Sequence, residues 1–275
     1  ESSGDDFTAD IVTGTHVQLA GTALGDLIIG KSGNTRQIDL SSNITTTNIQ
    51  TYNGPVRLVG GDRTVSTTNS NVVFASTVNS DGTARALTVT NGTGDTTFSS
   101  AIGGSAPVST LTITSDQLTA GAITLNGALT ATLGGSSTIS GVIANGASTA
   151  NLVKAGNGTL TLSGANTYTG TTAINAGDLT VSGSLHDSTA VSIASGADYN
   201  VNASDTVASI EGAGNIVLAS GQTLTAGDAN NKTLSGVISG TGNYIKAGSG
   251  IQTLSASNTY TGTTAINAGD LTVSG

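Results

Sequence analysis

The chain contains no cysteine, no methionine and no tryptophan, and only two prolines among 275 residues. Without cysteine there can be no disulfide framework, thiolate metal site or thiol nucleophile. The absence permits an oxidising compartment and suits a chain that must stay unlinked while it crosses a membrane. Aromatic residues make up 3% and charged residues 9% of the sequence, against about 25% charged in an average soluble domain. Scarce aromatics exclude a bulky globular core. Low charge combined with many Val, Ile and Leu excludes ordinary disorder, which needs low hydrophobicity and high net charge. The formal net charge is −9 and the sequence pI about 4.3, which disfavours nucleic acid and anionic membrane surfaces as partners. Lys31, Arg36, Arg57, Arg63 and Arg85 are scattered among aspartates in the first third and read as solvated surface charges. No stretch reaches the ~18 apolar residues of a membrane-spanning helix, so direct membrane insertion is not expected. The ends, ESSGDDF and a closing glycine, read as those of a mature or excised fragment.

What the chain does have is glycine, 39 residues of it, and short runs in which apolar and small polar residues alternate. Leu87-Thr88-Val89-Thr90, Leu111-Thr112-Ile113-Thr114, Thr159-Leu160-Thr161-Leu162 and Leu179-Thr180-Val181 show the period of a strand. Threonine suits such positions because its branched Cβ packs well on a pleated surface. Asn-Gly, at Asn53, Asn91, Asn126, Asn145 and Asn157, and Ser-Gly or Ala-Gly close the runs as tight corners. No sustained helical period occurs.

The chain also repeats itself. Asn166 to Gly183 reads NTYTGTTAINAGDLTVSG, and the same letters recur 92 positions on, from Asn258 to Gly275. The match extends backwards through KAGNGTLTLSGA at Lys154 and KAGSGIQTLSAS at Lys246, then SGVI at Ser140 and at Ser235. Repetition on this scale points to a stacked architecture. An antiparallel sandwich would need inward aromatics that are not there. The pattern therefore predicts an all-β chain folded as a parallel β-helix with roughly three short strands per coil. Coils of about 20 residues give on the order of a dozen, and a rod about 60 Å long. Texture changes near residue 130, so residues 1–130 and 131–275 are read as two regions of one continuous rod.

The phrase from Leu152, LVKAGNGTLTLSGANTYTGTTAINAGDLTVSG, resembles the autotransporter-associated β-strand repeat. The matching positions are Lys154, Gly156, Gly158, Gly164, Asn166, Tyr168, Gly170 and Gly177, and in the second copy Lys246, Gly248, Gly250, Asn258, Tyr260, Gly262 and Gly269. The second copy departs at Ile251-Gln252. Upstream, IQTYNGPVRLVGG from Ile49, the segment from Val72 to Gly104 and PVSTLTIT from Pro107 resemble the haemagglutinin-like repeats of large secreted adhesins. Together these resemblances imply a right-handed β-helix passenger, displayed on or released from a Gram-negative bacterium through an outer-membrane transporter. They imply a stiff, multivalent rod in attachment. Its partners would be host-cell or matrix glycans and proteins, or like molecules on neighbouring cells. Separately, the open ends of a β-helix are unpaired edges that need capping or continuation, which leaves end-to-end self-association, as a self-assembling extracellular filament or matrix subunit, as an alternative function.

Other chemistry leaves weaker traces. A polysaccharide lyase or hydrolase on the same fold would need convergent carboxylates and a basic residue, for which Asp39, Asp62, Arg57 and Arg63 are the candidates. Asp178 and Asp270, copies of one repeat position, read as turn or solubility residues. Asp5, Asp6 and Asp10 form the one dense acidic group. Gly60-Gly61-Asp62 and Gly25-Asp26 are too isolated for calcium-binding tandem repeats, so no cofactor is implied and calcium is only a remote option. His16 and His186 have no second ligand at metal spacing, and Gly30-Lys31-Ser32 lacks the upstream glycine of a phosphate loop. Tyr168 and Tyr260 could stack on glycans, but packing on a neighbouring coil is the favoured reading. The Thr-x-Thr runs could build a flat hydroxyl array of the ice-binding kind. Such an array needs one phase in every coil, and the unequal lengths between runs argue against it.

Overall fold

The structure is a computed structural model that describes residues 7–9 and 24–275. Asp5, Asp6, Asp10 and His16 therefore lie outside the described residues. Every described regular element is a strand, three to six residues long. All the pairings between the described strands are parallel, and each strand inside a sheet pairs with one from the preceding and one from the following coil. Two sheets of twelve strands run the length of the molecule. A third face is made in sections of three, two and four strands. This is a β-solenoid of about twelve turns. At about 4.8 Å between neighbouring strands, twelve turns make a rod of roughly 60 Å. Both long sheets continue without a break through residue 130.

The alternation seen in the sequence becomes an inside and an outside. In Leu111–Ser115 and Thr159–Leu162 the apolar residues are buried and the threonines between them are half-exposed. Parallel pairing then stacks each inward residue on its counterpart in the next coil. One such column runs Ile139, Leu162, Val181, Val201 and Leu218. Tyr52, Phe74 and Phe98 occupy one column, with ring centroids 4.9 and 4.8 Å apart and planes only 7° and 3° from parallel. Face-to-face stacking is not the geometry free rings prefer. Here the strand spacing imposes it.

The buried polar groups around Tyr52 are answered by neighbouring side chains and carbonyls. The Tyr52 hydroxyl donates to Gln50 Oε1 at 2.6 Å, and Gln50 Nε2 donates to Thr46 Oγ1 and to the Ser66 carbonyl. Burial holds the Tyr52 phenol well above its ordinary pKa.

The Thr-x-Thr runs are in phase over four coils and not beyond them, where Val153 and Ala173 follow Thr130 in the column. Thr64 pairs with Thr88, Thr88 with Thr112 and Thr112 with Thr130, although these residues are separated by 24, 24 and 18 positions (64 to 88, 88 to 112, 112 to 130). Unequal lengths are absorbed at the corners and on the sectioned face, such as the stretch around Ile102 and Val108 that touches its neighbours only through single bridges. The long sheets keep their register.

The aromatic column gives a stability test. Phe74→Ala should remove contacts on both sides of its ring and cost about 3–5 kcal/mol, read as a lower urea midpoint, while Phe74→Leu should cost clearly less. Equal losses for the two would contradict this, since restoring side-chain volume would then recover nothing.

Candidate functional site

The repeated phrase folds into two copies of one corner, and each repeated letter has a physical task. Lys154 ends up buried, at 0% exposure, although lysine is seldom buried without a partner. Its ammonium donates to the carbonyls of Ala155 (2.9 Å), Gly156 (2.8 Å) and Ala176 (3.0 Å). Lys246, 1% exposed, does the same with Ala247, Gly248 (2.8 Å) and Ala268 (3.1 Å). Three donors meet three acceptors, two from the lysine's own corner and one from the corner of the following coil. Burial pushes the Lys154 ammonium down to about 8, and the negative charge of Asp178 works against that shift. The three carbonyls also favour the charged form.

The glycines let this cage close. Gly156 and Gly177 have φ of +73° and +63°, a conformation that side chains with Cβ rarely adopt. At Gly158, Gly164 and Gly170 a Cβ would overlap the carbonyl oxygens of Gly135, Gly141 and Ala150 in the coil beneath. In the second copy Gly248, Gly250, Gly262 and Gly269 meet the coil beneath in the same way.

Asn166 staples three coils. Its Oδ1 accepts from the Ile143 amide (2.9 Å), and its Nδ2 donates to the carbonyls of Gly164 (3.0 Å) and Ser184 (2.9 Å). Asn258 repeats the first two contacts with Ile238 and Ala256. Ile143 and Ile238 close the two SGVI phrases, which explains why the match extends that far back. Tyr168 is fully buried, with its hydroxyl 2.6 Å from Thr172 Oγ1; Tyr260 makes the same pair with Thr264 and is half-buried. Tyr168 therefore packs within the rod and offers no face to a sugar.

The Passenger-associated-transport-repeat family matches residues 152–181 and again residues 245–273. The chain carries two passenger-associated-transport repeats. Its resemblance to autotransporter passengers, read from the same residues, is borne out. It is also 39% identical over 130 residues to the adhesin BmaC autotransporter of Brucella suis biovar 1 (strain 1330). That match covers 44% of this chain, and the chain spans only 4% of the length of that relative. No solved structure matches the chain.

The remaining candidates are occupied by structural tasks. Arg57 forms a two-pronged pair with Asp39, 2.9 and 2.7 Å, on the surface. Asp62 Oδ1 accepts from the Ala86 amide, and Arg63 turns back onto the carbonyls of Leu40, Asp62 and Val59. Asp178 is not in a turn: it lies in the strand Gly177–Val181 of the first repeat and accepts from Thr159 Oγ1. His186 Nδ1 pairs with Ser188. Among the described residues no three His, Cys, Asp or Glu side chains gather as a metal site would require.

Sequence reasoning missed Asp205. It sits between the two repeats, 4% exposed, and accepts from the Leu185 amide through both oxygens, from the Thr206 amide and from the Tyr199 hydroxyl. The signal was its setting: Leu185 follows Ser184, which Asn166 already grips, so the corner stack continues with a carboxylate where the repeat uses an amide.

Two outcomes follow for this stack. Lys154→Met keeps the volume but strands three carbonyls, and should cost about 3 kcal/mol in a denaturation curve; unchanged or increased stability would mean that the cage is dispensable. Burial raises the Asp205 carboxyl to about 6, against the opposing pull of the Leu185 amide, from an unfolded value of about 3.9. The native state then holds the extra proton between these values, so this group's contribution is greatest below about pH 4 and is lost as pH rises through about 6. Asp205→Asn should flatten that slope and raise stability at pH 7, measured as urea midpoints at pH 4 and 7. A slope identical to the parent's would refute the assignment.

Proposed function

We propose that this chain is a segment of a secreted or surface-displayed adhesin of a Gram-negative bacterium, acting as a stiff rod that carries repeated weak contacts to its target. The observation that carries this reading is the pair of passenger-associated-transport repeats built into an uninterrupted parallel ladder. The relative named an adhesin supports the same direction. A rod held by axial hydrogen bonds projects its surface away from the cell, and contacts repeated along it gain avidity without any single strong site. Its targets would be glycans or proteins of host cells or matrix, or copies on neighbouring cells, reached after export through an outer-membrane transporter. The role is non-enzymatic: Asp39, Arg57, Asp62 and Arg63, the residues that would serve a lyase or hydrolase, are spent on corner and surface contacts.

The test is display. The chain joined to a transporter barrel on a laboratory Gram-negative host should be cut by protease added to intact cells, and should raise attachment to matrix-coated or cell-covered surfaces above that of the barrel alone. Display without any gain in attachment would make the segment a spacer and contradict the adhesive part of the reading.

A further inference from the structure

We propose that the corner of residues 184–189 is a pH-sensitive latch, closed while the Asp205 carboxyl is neutral and loosened once it is charged. This goes beyond the adhesive reading and does not rest on it. It concerns local opening of one corner, not the stability of the whole rod. Three corners share one grip, in which an Asn or Asp of the next coil accepts from the amide of an apolar residue. Asn166 Oδ1 takes the Ile143 amide at 2.9 Å, and Asn258 Oδ1 takes that of Ile238 at 2.8 Å. Asp205 takes the Leu185 amide through both oxygens, at 3.1 and 3.2 Å. Of the three grips, only this one can titrate.

The backbone beside the grip differs. At the asparagine corners the ladder reinforces it. The Ile143 carbonyl accepts from the Thr167 and Tyr168 amides at 2.9 and 3.2 Å, and the Ile238 carbonyl accepts from Thr259 and Tyr260 at the same distances. The Leu185 carbonyl receives no such bond. Thr206, which holds the place of Thr167 and Thr259, gives its amide to the Asp205 carboxylate instead, at 3.0 Å. The ends of the corner are fixed: Ser184 by Asn166, and Thr189 by the Tyr168 carbonyl and the Ala208 amide. Between them His186 bonds only to Ser188 and Thr189. The next coil therefore holds residues 185–188 by hydrogen bonds at one point, the Leu185 amide.

The groups around Asp205 set the sign. From its own coil the Tyr199 hydroxyl donates at 3.0 Å. From the corner beneath, Asp187 adds a like charge, while His186 turns its Nδ1 to Ser188. One coil further down Tyr168 is buried, with its hydroxyl on Thr172. From the coil above, Leu224 pairs with Asp205 in register and brings no charge. Among the described residues no cation pairs with this carboxylate. A buried charge without a counter-ion leans on every donor within reach. Here it draws three, and one of them is the amide that the asparagine corners give to the ladder. Once protonated, the carboxyl no longer needs that third donor. The Thr206 amide can then return to the Leu185 carbonyl, the arrangement that Asn166 already shows.

The test is amide hydrogen exchange of the full chain between pH 4 and pH 7, with circular dichroism to confirm that it is folded throughout. The exchange rate of Leu185 is divided by that of Ile143, which cancels the base catalysis common to all amides. The ratio should rise about tenfold or more with pH and level off above about 6. Titration between about 3.9 in the opened corner and about 6 in the closed one allows roughly 100-fold. Asp205→Asn should keep the ratio low at every pH, and His186→Gln should leave the rise intact. A ratio that stays constant in the parent chain, whether the corner never opens or opens only with the whole rod, would overturn the proposal. So would a rise that survives Asp205→Asn or disappears in His186→Gln. The parent chain decides the matter even where a variant fails to fold.

Discussion

The parallel hydrogen-bond ladder along the rod axis is the interaction on which everything else depends. Each coil offers its backbone amides and carbonyls to the coils above and below, and the ladder fixes their separation near 4.8 Å. Once that spacing is set, side chains have no choice of neighbour. Inward residues stack into columns of Leu, Ile and Val, three aromatic rings lie face to face, and outward threonines line up in rows. The same closeness explains the glycines, since a Cβ at Gly158 or Gly170 would enter the backbone of the coil beneath. It also shows why few aromatics suffice: the core is a thin prism that small branched residues fill.

Corners are where such a fold is most exposed to failure, because the chain turns there and leaves carbonyls without ladder partners. The passenger-associated-transport repeat answers this with side chains. Lysine supplies a buried ammonium to three carbonyls, and asparagine both donates to and accepts from the backbone of adjoining coils. A buried charge is weak evidence of net stability. A three-donor group that only one arrangement of three carbonyls can satisfy does, however, select that arrangement. Asp205 does related work between the two repeats with a carboxylate, which makes that corner sensitive to pH where an asparagine would not be.

Much of this was legible in the sequence. Alternation in Thr159-Leu160-Thr161-Leu162 and the corner dipeptides specify short strands and turns. The copied phrase specifies stacking, since one phrase can be reused only where the neighbours also recur. Other features were hidden for physical reasons. That Lys154 points inward contradicts its type, and only the turning of its own corner and of the next coil's brings the three carbonyls to it. The phase of the threonines could not be read from spacing, because corners and the third face take up insertions without moving the long sheets. Asp205 lies outside the repeated phrase and is recognisable only once Leu185 is seen to follow the asparagine corner.

The axial register can be measured directly, and the absence of natural cysteine makes the measurement clean. Cysteines placed two at a time would be treated with a short bifunctional thiol reagent. Thr112→Cys with Thr130→Cys, outward neighbours in adjacent coils, should crosslink rapidly in the folded chain. Thr112→Cys with Ala131→Cys, one residue out of step and facing inward, should not. Equal crosslinking of the two pairs, or none in the first, would contradict the register on which the rod, its corners and its threonine face all rest.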